Sequence, residues 1–542
     1  MKQIMFLTSS SDYNMKHTFL FTIYFFLQAS LGFAQHPPLG LQLSSENISE
    51  GYTLFSPLKN KNTYLINNCG GVVNEWEFSD KANRSAYLLP NGNVVRAGAE
   101  FIEIRDWNNQ LLWSYSATEL EHHHDIEPMP NGNILIVSYD YYSAEEMESV
   151  GRVAGTTDEE FRLDKILEIK PVGSDDIEIV WQWKFYDHLV QDIDPNLPNY
   201  GVVAENPDRL DVNFDNEETF NFVHVNGIDY NPALDQIIFS ARNLSEVFII
   251  DHSTTSEEAA NSTGGVSEKG GDFLWRWGNP QVYQQGSAQD QQLFRQHDPK
   301  WVLEGYQDEG SISLFNNHPN EFSPKDSHVE LLRPEINDGQ YELSEGRFSP
   351  ADFSFSWSGE ILDIPVYEEK QSGVLFLENG NFLLCESSKG RISEVTKAGE
   401  VVWVYKNPSG DVIYQDGDIG FGDNGIFRAD RYSPDYLDFA INSKGAFQTI
   451  EDENFLSEDC QSLVTSASPE VPTFPRPFFV RDNVLEFHTL PDAFTIYALS
   501  GRTVYQSEQP AEMNIKLQFV PGLYLLKFTK DNEVRSYKIL LN

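Results

Sequence analysis

Seven of the ten tryptophans in this chain fall in one recurring token, apolar-Trp-x-aromatic. The copies are Leu112-Trp113-Ser114-Tyr115, Val180-Trp181-Gln182-Trp183, Leu274-Trp275-Arg276-Trp277 and Val402-Trp403-Val404-Tyr405, with a degenerate first copy at Glu75-Trp76-Glu77-Phe78. A sixth, worn copy stands at Phe355-Ser356-Trp357. The shortest spacing, Trp76 to Trp113, is close to the length of a four-stranded propeller blade, and longer spacings then mean insertions between strands.

A second token marks tight turns: Leu89-Pro-Asn-Gly-Asn93, Met129-Pro-Asn-Gly-Asn133 and Leu377-Glu-Asn-Gly-Asn381. Asn-Gly between apolar runs is a strong hairpin signal and predicts type I′ turns with two left-handed residues. Each turn leads into a strand, such as Ile134-Leu-Ile-Val137 or Phe382-Leu-Leu-Cys385, and then into a strand carrying the tryptophan. Convincing amphipathic helices are absent. The chain therefore reads as all-β, a six-bladed β-propeller over 45–455 followed by a small β-sandwich. Four acidic insertions, 140–165, 186–220, 252–272 and 305–350, are expected to be loops over one face. A Ser- and Pro-rich linker, 456–477, precedes the C-terminal domain, 478–542.

The formal charge of −45, from 83 acidic and 38 basic residues, disfavours nucleic acid and anionic lipid as partners. An anionic small molecule is still admissible, because a Debye length of about 8 Å lets a local cationic cluster prevail inside a pocket. Residues 1–34 have the order of a secretory signal: Lys16 and His17, the apolar run Phe19 to Leu27, then small residues up to Ala34. No later stretch has the roughly 20 apolar residues that a spanning helix needs. The expected location is secreted or at the cell surface. Cys69, Cys385 and Cys460 are far apart and odd in number, so at most one pair can form and sequence does not choose it.

Histidines cluster at three predicted strand starts: His122-His123-His124-Asp125, His224-Val-Asn226 and Gln296-His297-Asp298. In a propeller the innermost strands begin near the central channel, so these starts can converge. His224 and Asn226, two apart on a strand, are expected to face one side. Arg242 lies in the segment Phe239-Ser-Ala-Arg242, otherwise apolar. Histidine with aspartate is also a zinc or copper ligand set. A guanidinium beside the histidines favours an anion over a divalent cation, so no metal or other cofactor is expected. The loop Asp416 to Asp423 lacks the spacing and closing Glu of a calcium loop and reads as a solvated loop.

At these residues the chain resembles the bacterial arylsulfate sulfotransferases that work without phosphoadenosine, a family built on a six-bladed propeller. The resemblance runs from Gly51-Tyr-Thr-Leu-Phe55 to Phe427-Arg-Ala-Asp-Arg-Tyr432 and is most specific at His224-x-Asn226, at Arg242 eighteen positions on, and at Gln296-His297. It implies that His297 takes a sulfuryl group covalently. It implies too that His224, Asn226, Arg242 and one of the triple run, His124 with His123 next in line, hold the sulfate oxygens. Some members carry a disulfide near the active site, and no pair of nearby cysteines exists here to make one. The tail resembles a type IX secretion sorting domain in its Leu499-Ser-Gly-Arg502 turn, its Pro521-Gly-Leu-Tyr524 strand start and its basic-apolar last strand. The usual Tyr-Pro-Asn-Pro opening is replaced by Phe474-Pro-Arg-Pro477.

The implied reaction moves a sulfuryl group from a phenolic sulfate ester to a phenolic acceptor through a sulfohistidine, in ping-pong fashion. The implied partners are an aryl sulfate donor, a phenol and the secretion machinery. A neutral nucleophilic histidine predicts activity that falls as pH drops below its pKa, with flat activity down to about pH 4 counting against it. Two other classes stay open at this stage: a non-catalytic secreted propeller that binds a glycan or small ligand, and a metal-dependent hydrolase using the histidine clusters.

Overall fold

A computed structural model describes residues 39–437 apart from 158–159, 216–219, 319–325, 411–412 and 414–421. It also describes 439, 449–450 and most of 478–541. The signal segment 1–34, the linker, most of the Asp416 loop, Leu499 to Arg502, Phe474 to Pro477 and Pro521 lie outside the described residues.

The fold is all-β. The two α-helices among the described residues, Ala144–Ser149 and Ser256–Ala259, are short and sit in insertions. No helix among the described residues is long and apolar enough to cross a membrane. Among the described residues, six antiparallel sheets of four or five strands precede the tail, beside a few two-stranded pairs. The first pairs Ile426–Tyr432 with Tyr52–Pro57, Asn62–Asn67 and Val72–Glu77. The second runs Ala82–Leu88, Val94–Gly98, Phe101–Arg105, Leu111–Ser116, and the third His122–Pro128, Ile134–Ser143, Glu160–Val172, Asp176–Lys184. The fourth is Val225–Asn231, Gln236–Ala241, Glu246–Asp251, Trp275–Trp277, and the fifth His297–Trp301, Ile312–Asn316, His328–Leu332, Phe355–Trp357. The sixth is Gly373–Phe376, Phe382–Glu386, Arg391–Val395 and Val401–Lys406, with Gly40–Ser44 added at its edge. That edge strand lies N-terminal to the expected start at residue 45.

All six tryptophan tokens, the worn one included, lie on the fourth strand of their sheet. A buried indole still needs an acceptor for its N–H, and the next sheet along the chain, or the loops beside it, supplies one. Trp76 donates to the Asp106 carbonyl at 2.8 Å, Trp113 to Asp176 at 2.9 Å, and Trp183 to Gly271 at 2.7 Å. Trp275 and Trp277 donate to the Ser349 and Pro350 carbonyls, both at 2.7 Å. Trp403, in the sixth sheet, donates at 2.7 Å to the Asn68 carbonyl beside the first. In five of the six sheets the repeated tryptophan is thus a tie to the next, with the ring buried in one and the N–H spent on the other. The first strands make contacts in the same sequence, and Gly373–Phe376 touches Ile426–Tyr432 of the first sheet.

Two expectations are corrected. At Leu89 to Asn93 the Gly92 N–H donates to the Leu89 carbonyl, and Gly92 has φ +82° while Asn91 stays out of the left-handed region. With Gly132 and Gly380 behaving alike, these are three-residue loops, a tight turn closed by one left-handed glycine, in place of type I′. Proline suits the first loop position, because its fixed φ matches a turn that bends the ordinary way. The insertions are also less loop-like than expected. Ile134–Ser143 and Glu160–Val172 stay paired to Ser143↔Glu160, and two strands of the fifth sheet lie within 305–350.

In the tail, Phe478–Arg481, Val484–Phe487 and Asn514–Lys516 form one antiparallel sheet. Thr503–Glu508, Ala493–Ala498, Gly522–Lys530 and Glu533–Leu541 form the other. Leu485 and Phe487 from the first share one core with Phe494, Ile496, Leu526 and Phe528 from the second. Cys69 is disulfide-bonded, and Cys385 is a buried free thiol.

Candidate active site

The histidine-bearing strands open in the same irregular way. In each, the register slips near the start: between the pairs Ser138↔His122 and Ile136↔Ile126, Val225↔Ala241 and Gly227↔Ser240, and His297↔Phe315 and Lys300↔Ser313. His124, His224 and Asp298 take positive φ values of 58°, 61° and 58°. Bulges and left-handed residues at a strand end re-aim side chains and cluster at functional sites. The strict alternation expected to put His224 and Asn226 on one side does not hold through this bulge. Asn226 is fully buried, its amide donates to the Gln296 carbonyl at 2.8 Å, and its Oδ1 has no hydrogen-bond partner.

The spacing of His224 and Arg242 follows from the hairpin between Val225–Asn231 and Gln236–Ala241. Its ladder extends one step, so that the Arg242 N–H donates to the His224 carbonyl at 3.0 Å. Of the triple run, His124 is the one that meets His224: their Nε2 atoms lie 3.2 Å apart. His123 stands behind it, with Nδ1 2.7 Å from His124 Nδ1, Nε2 2.8 Å from Asp164, and its ring stacked on Tyr139. His122 turns away, Nδ1 towards the Val137 carbonyl. Asp164 accepts from the Val225 N–H through its second oxygen. With the Asp164 carboxylate as terminal acceptor and Asn221 Nδ2 donating to His224 Nδ1 at 2.6 Å, one direction satisfies the row. Each histidine is then neutral and passes one N–H onward, from His224 to His124 to His123 to Asp164.

The tautomer of His297 is fixed by a backbone donor. The Gln371 N–H, which can only donate, points at His297 Nε2 at 3.1 Å, so Nε2 carries a lone pair and Nδ1 carries the proton. Nδ1 donates to Asn317 Oδ1 at 2.7 Å, and the Asn317 amide donates to the Glu368 and Gln371 carbonyls, both at 3.0 Å. The imidazole is thus held neutral with its free pair at the nitrogen remote from the backbone.

Electrostatics agree. Burial pushes His297 well below the usual histidine range, and the charge of Arg242 adds to the shift, with smaller effects of Arg428 and His224. His224 falls to about 3 from burial and then from Arg242. Burial, then His224 and His123, then Arg84 and His297, hold His124 well below 6.5. Arg242 is therefore within electrostatic reach of His224 and His297, and both of these histidines act on their neighbour His124, among further cations. Arg84 acts on all three histidines of the run, Arg162 on His123, and Arg295 on His224. Inside a chain of net charge −45 this is a locally cationic cluster built around neutral imidazoles.

Beneath it, Arg428 ties the strand starts together. It hydrogen-bonds Asp125, pairs with Asp298 at 3.0 Å and donates to the Asn226 carbonyl at 2.9 Å. Burial works against its charge, but Asp125 and Asp298 hold it more firmly protonated than usual. A Cβ on Gly227 would stand 2.9 Å from Arg428 Nη2 and 2.7 Å from Pro299, so glycine is what lets the guanidinium in. Arg428, Asp164, Asn317, Asn221 and the extra arginines were not singled out from sequence. The His-Asp pair repeated at His124-Asp125 and His297-Asp298 was the available signal for a shared buried cation.

A family model described as arylsulfotransferase (ASST) matches residues 59–332, which include His123, His124, His224, Asn226, Arg242 and His297. No curated protein matches the chain. Among solved structures it is similar to a protein of unknown function from Bacteroides caccae, with 11% identity and a TM-score of 0.37 over 70% of this chain and 98% of that one. It is also similar to a streptogramin B lyase, with 12% identity and a TM-score of 0.33 over 74% and 96%. A third is virginiamycin B lyase from Staphylococcus aureus, with 10% identity and a TM-score of 0.28 over 60% and 70%.

Proposed function

The chain belongs to the arylsulfotransferase family, and from that premise we propose that it moves a sulfuryl group from an aryl sulfate to a phenol by way of His297. The six sheets and their tryptophan ties, including Trp403 to Asn68, support reading the main body as a closed six-bladed propeller whose strand starts meet at this site.

The observation that carries the mechanism is the neutral His297 with a lone pair on Nε2, lying in the electrostatic field of Arg242 and His224. The pair attacks sulfur, an N–S bond forms, the S–O bond to the aryl group breaks, and the phenolate leaves. Arg242 and the second amide hydrogen of Asn226 supply donors for the sulfuryl oxygens, whose charge develops in transfer, and His224 joins them when a bound sulfuryl oxygen takes its N–H in place of His124 Nε2. A phenol, with a pKa near 10, leaves without strong acid help. In the second half the acceptor phenol gives up its proton to solvent, its oxygen attacks sulfur, the N–S bond breaks and the electron pair returns to Nε2, while the released phenolate takes a proton from solvent. Because Gln371 N–H engages the same lone pair, attack requires the turn at Gln371 and Ser372, with φ values of 59° and 76°, to withdraw from Nε2.

The test is intact-mass measurement after mixing with 4-nitrophenyl sulfate and no acceptor. One added sulfuryl group per chain, absent in His297→Ala and discharged by phenol, is expected. Release of nitrophenol with no adduct, undiminished in His297→Ala, would sink the covalent mechanism.

We also propose export. The apolar run of 19–27 and the strand pattern of the tail support a secreted or surface protein delivered through its C-terminal domain. Truncation before residue 478 is expected to leave the protein inside the cell envelope, as fractionation would reveal.

A further inference from the structure

Away from the proposed catalytic cluster, a second group of metal-ligating side chains stands where Ile312–Asn316 and His328–Leu332 meet. We propose that His318, Asp326 and His328 form a site for one divalent transition-metal ion of the zinc type, independent of the sulfuryl chemistry. One ligand atom from each residue lies within 4.8 Å of the others. His328 Nε2 and Asp326 Oδ2 are already 3.2 Å apart. A tetrahedral ion with bonds of roughly 2.1 Å has ligand-to-ligand edges of about 3.4 Å, so only a small closure is needed.

Three features separate this group from an ordinary surface ion pair. First, buried polar atoms are left over: His318 Nδ1, Asp326 Oδ1 and Glu330 Oε2 have no hydrogen-bond partner, and Glu330 is 2% exposed. Buried polar atoms are almost always satisfied, and a cation would give partners to His318 and Asp326. Second, His328 Nδ1 is engaged on its far side, 3.4 Å from Ser356 Oγ and 3.7 Å from the Glu330 carboxylate, which leaves Nε2 to the ion with the ring oriented from behind. Third, the group borders a cavity of about 630 Å³ that also touches Phe294 and Arg347, leaving room for a water as fourth ligand.

His252 gives the contrast. Its two ring nitrogens are both taken by carboxylates, Asp235 at 2.7 Å and Glu168 at 3.0 Å, so it is a completed ion pair with nothing left to bind. Two imidazoles with one carboxylate suit zinc, cobalt or nickel, whereas calcium and magnesium prefer oxygen alone. The ion would also fasten the chain at Asn317, which neighbours His318 and accepts from His297 Nδ1.

The test uses the full exported chain without an affinity tag, stripped with chelator, loaded with zinc and passed through gel filtration. One zinc per chain is expected, falling to none in His318→Ala and His328→Ala, kept in His252→Ala, and held at least about 10-fold more weakly in Glu330→Gln. Zinc should also raise the thermal midpoint of the unaltered protein, a readout that does not depend on the variants folding. Wild type that retains no zinc and shows no shift overturns the site, as does undiminished zinc in folded His318→Ala and His328→Ala.

Discussion

His124 and His224, 100 residues apart in the chain, face each other with their Nε2 atoms 3.2 Å apart. His123 touches this pair only through His124, and His122 does not touch it. Loss of transfer activity is therefore expected to follow that order. His224→Ala and His124→Ala each break the histidine row at the face turned to the sulfuryl group and should lower kcat by about 10²-fold or more. His123→Ala should cost less, as a positioning residue, and His122→Ala least. Steady-state kinetics of the four variants check the order, and equal losses at His122 and His124 would contradict it.

Arg428 concentrates the fate of three strands in one side chain. Removing it leaves Asp125 and Asp298 buried without their cation, which should cost about 3–5 kcal/mol. Arg428→Lys cannot span Asp125, Asp298 and the Asn226 carbonyl at once, so it should rescue little. Gly227→Ala, which pushes a methyl to within 2.9 Å of the guanidinium, should resemble a mild form of the same defect. Urea midpoints of the three variants are the measurement. A Gly227→Ala protein as stable as wild type would mean that the close approach carries no weight.

The tryptophan ties test whether the sheets form a ring. If they do, Trp403 to Asn68 is a link like any other, and Trp403→Phe should destabilise as much as Trp113→Phe, about 1–2 kcal/mol for an unsatisfied carbonyl. In an open array, a Trp403→Phe change near the chain's edge would be nearly silent in chemical denaturation.

Stability should fall as pH rises from about 4 towards 7, because the five acids raised by burial outnumber the two histidines, depressed to about 3, that work against them. Burial raises Asp164, Glu246 and Glu368 to about 7 and Asp211 and Asp229 to about 6, above their ordinary carboxyl values. In the unfolded chain these groups lose their protons near pH 4, so what they add to stability is present at low pH and is lost as pH rises through about 6–7. His122 and His224, depressed to about 3, work the other way. They add stability above the unfolded value of 6.5 that is lost as pH falls towards 3. Urea midpoints across pH 4.5–9 give the curve, at roughly that range of ordinary titration. A monotonic rise to pH 9 would show that the buried acids do not titrate as their surroundings require.

What the sequence made legible has a physical pattern. The tryptophan tokens could be read because five of the six perform one local task, burying a ring while tying the next sheet, so the same residue recurs. The pairing of His224 with Arg242 was legible because a hairpin converts spacing into register. The fifth sheet's strands were hidden, since no Asn-Gly turn joins Ile312–Asn316 to His328–Leu332. Asp164 looks like any polar residue on a paired strand. Arg428 meets Asp125 from 303 residues away, a contact that only the meeting of the strand starts creates.

The role of His297 can be tested through Asn317 without touching the nucleophile. The neutral amide oxygen now accepts from Nδ1, and burial with Arg242 holds the ring well below its ordinary value. The acid limb of activity should therefore begin at lower pH than an exposed histidine would give, and flat activity towards pH 4 no longer argues against a neutral nucleophile. Asn317→Asp puts a carboxylate against Nδ1, which favours the imidazolium, so the ring protonates at higher pH and the acid limb moves up, by about one unit or more. Asn317→Ala frees the tautomer and should lower kcat without that displacement. If the acid limb stays put in Asn317→Asp while kcat changes, the titrating group that governs transfer is not His297.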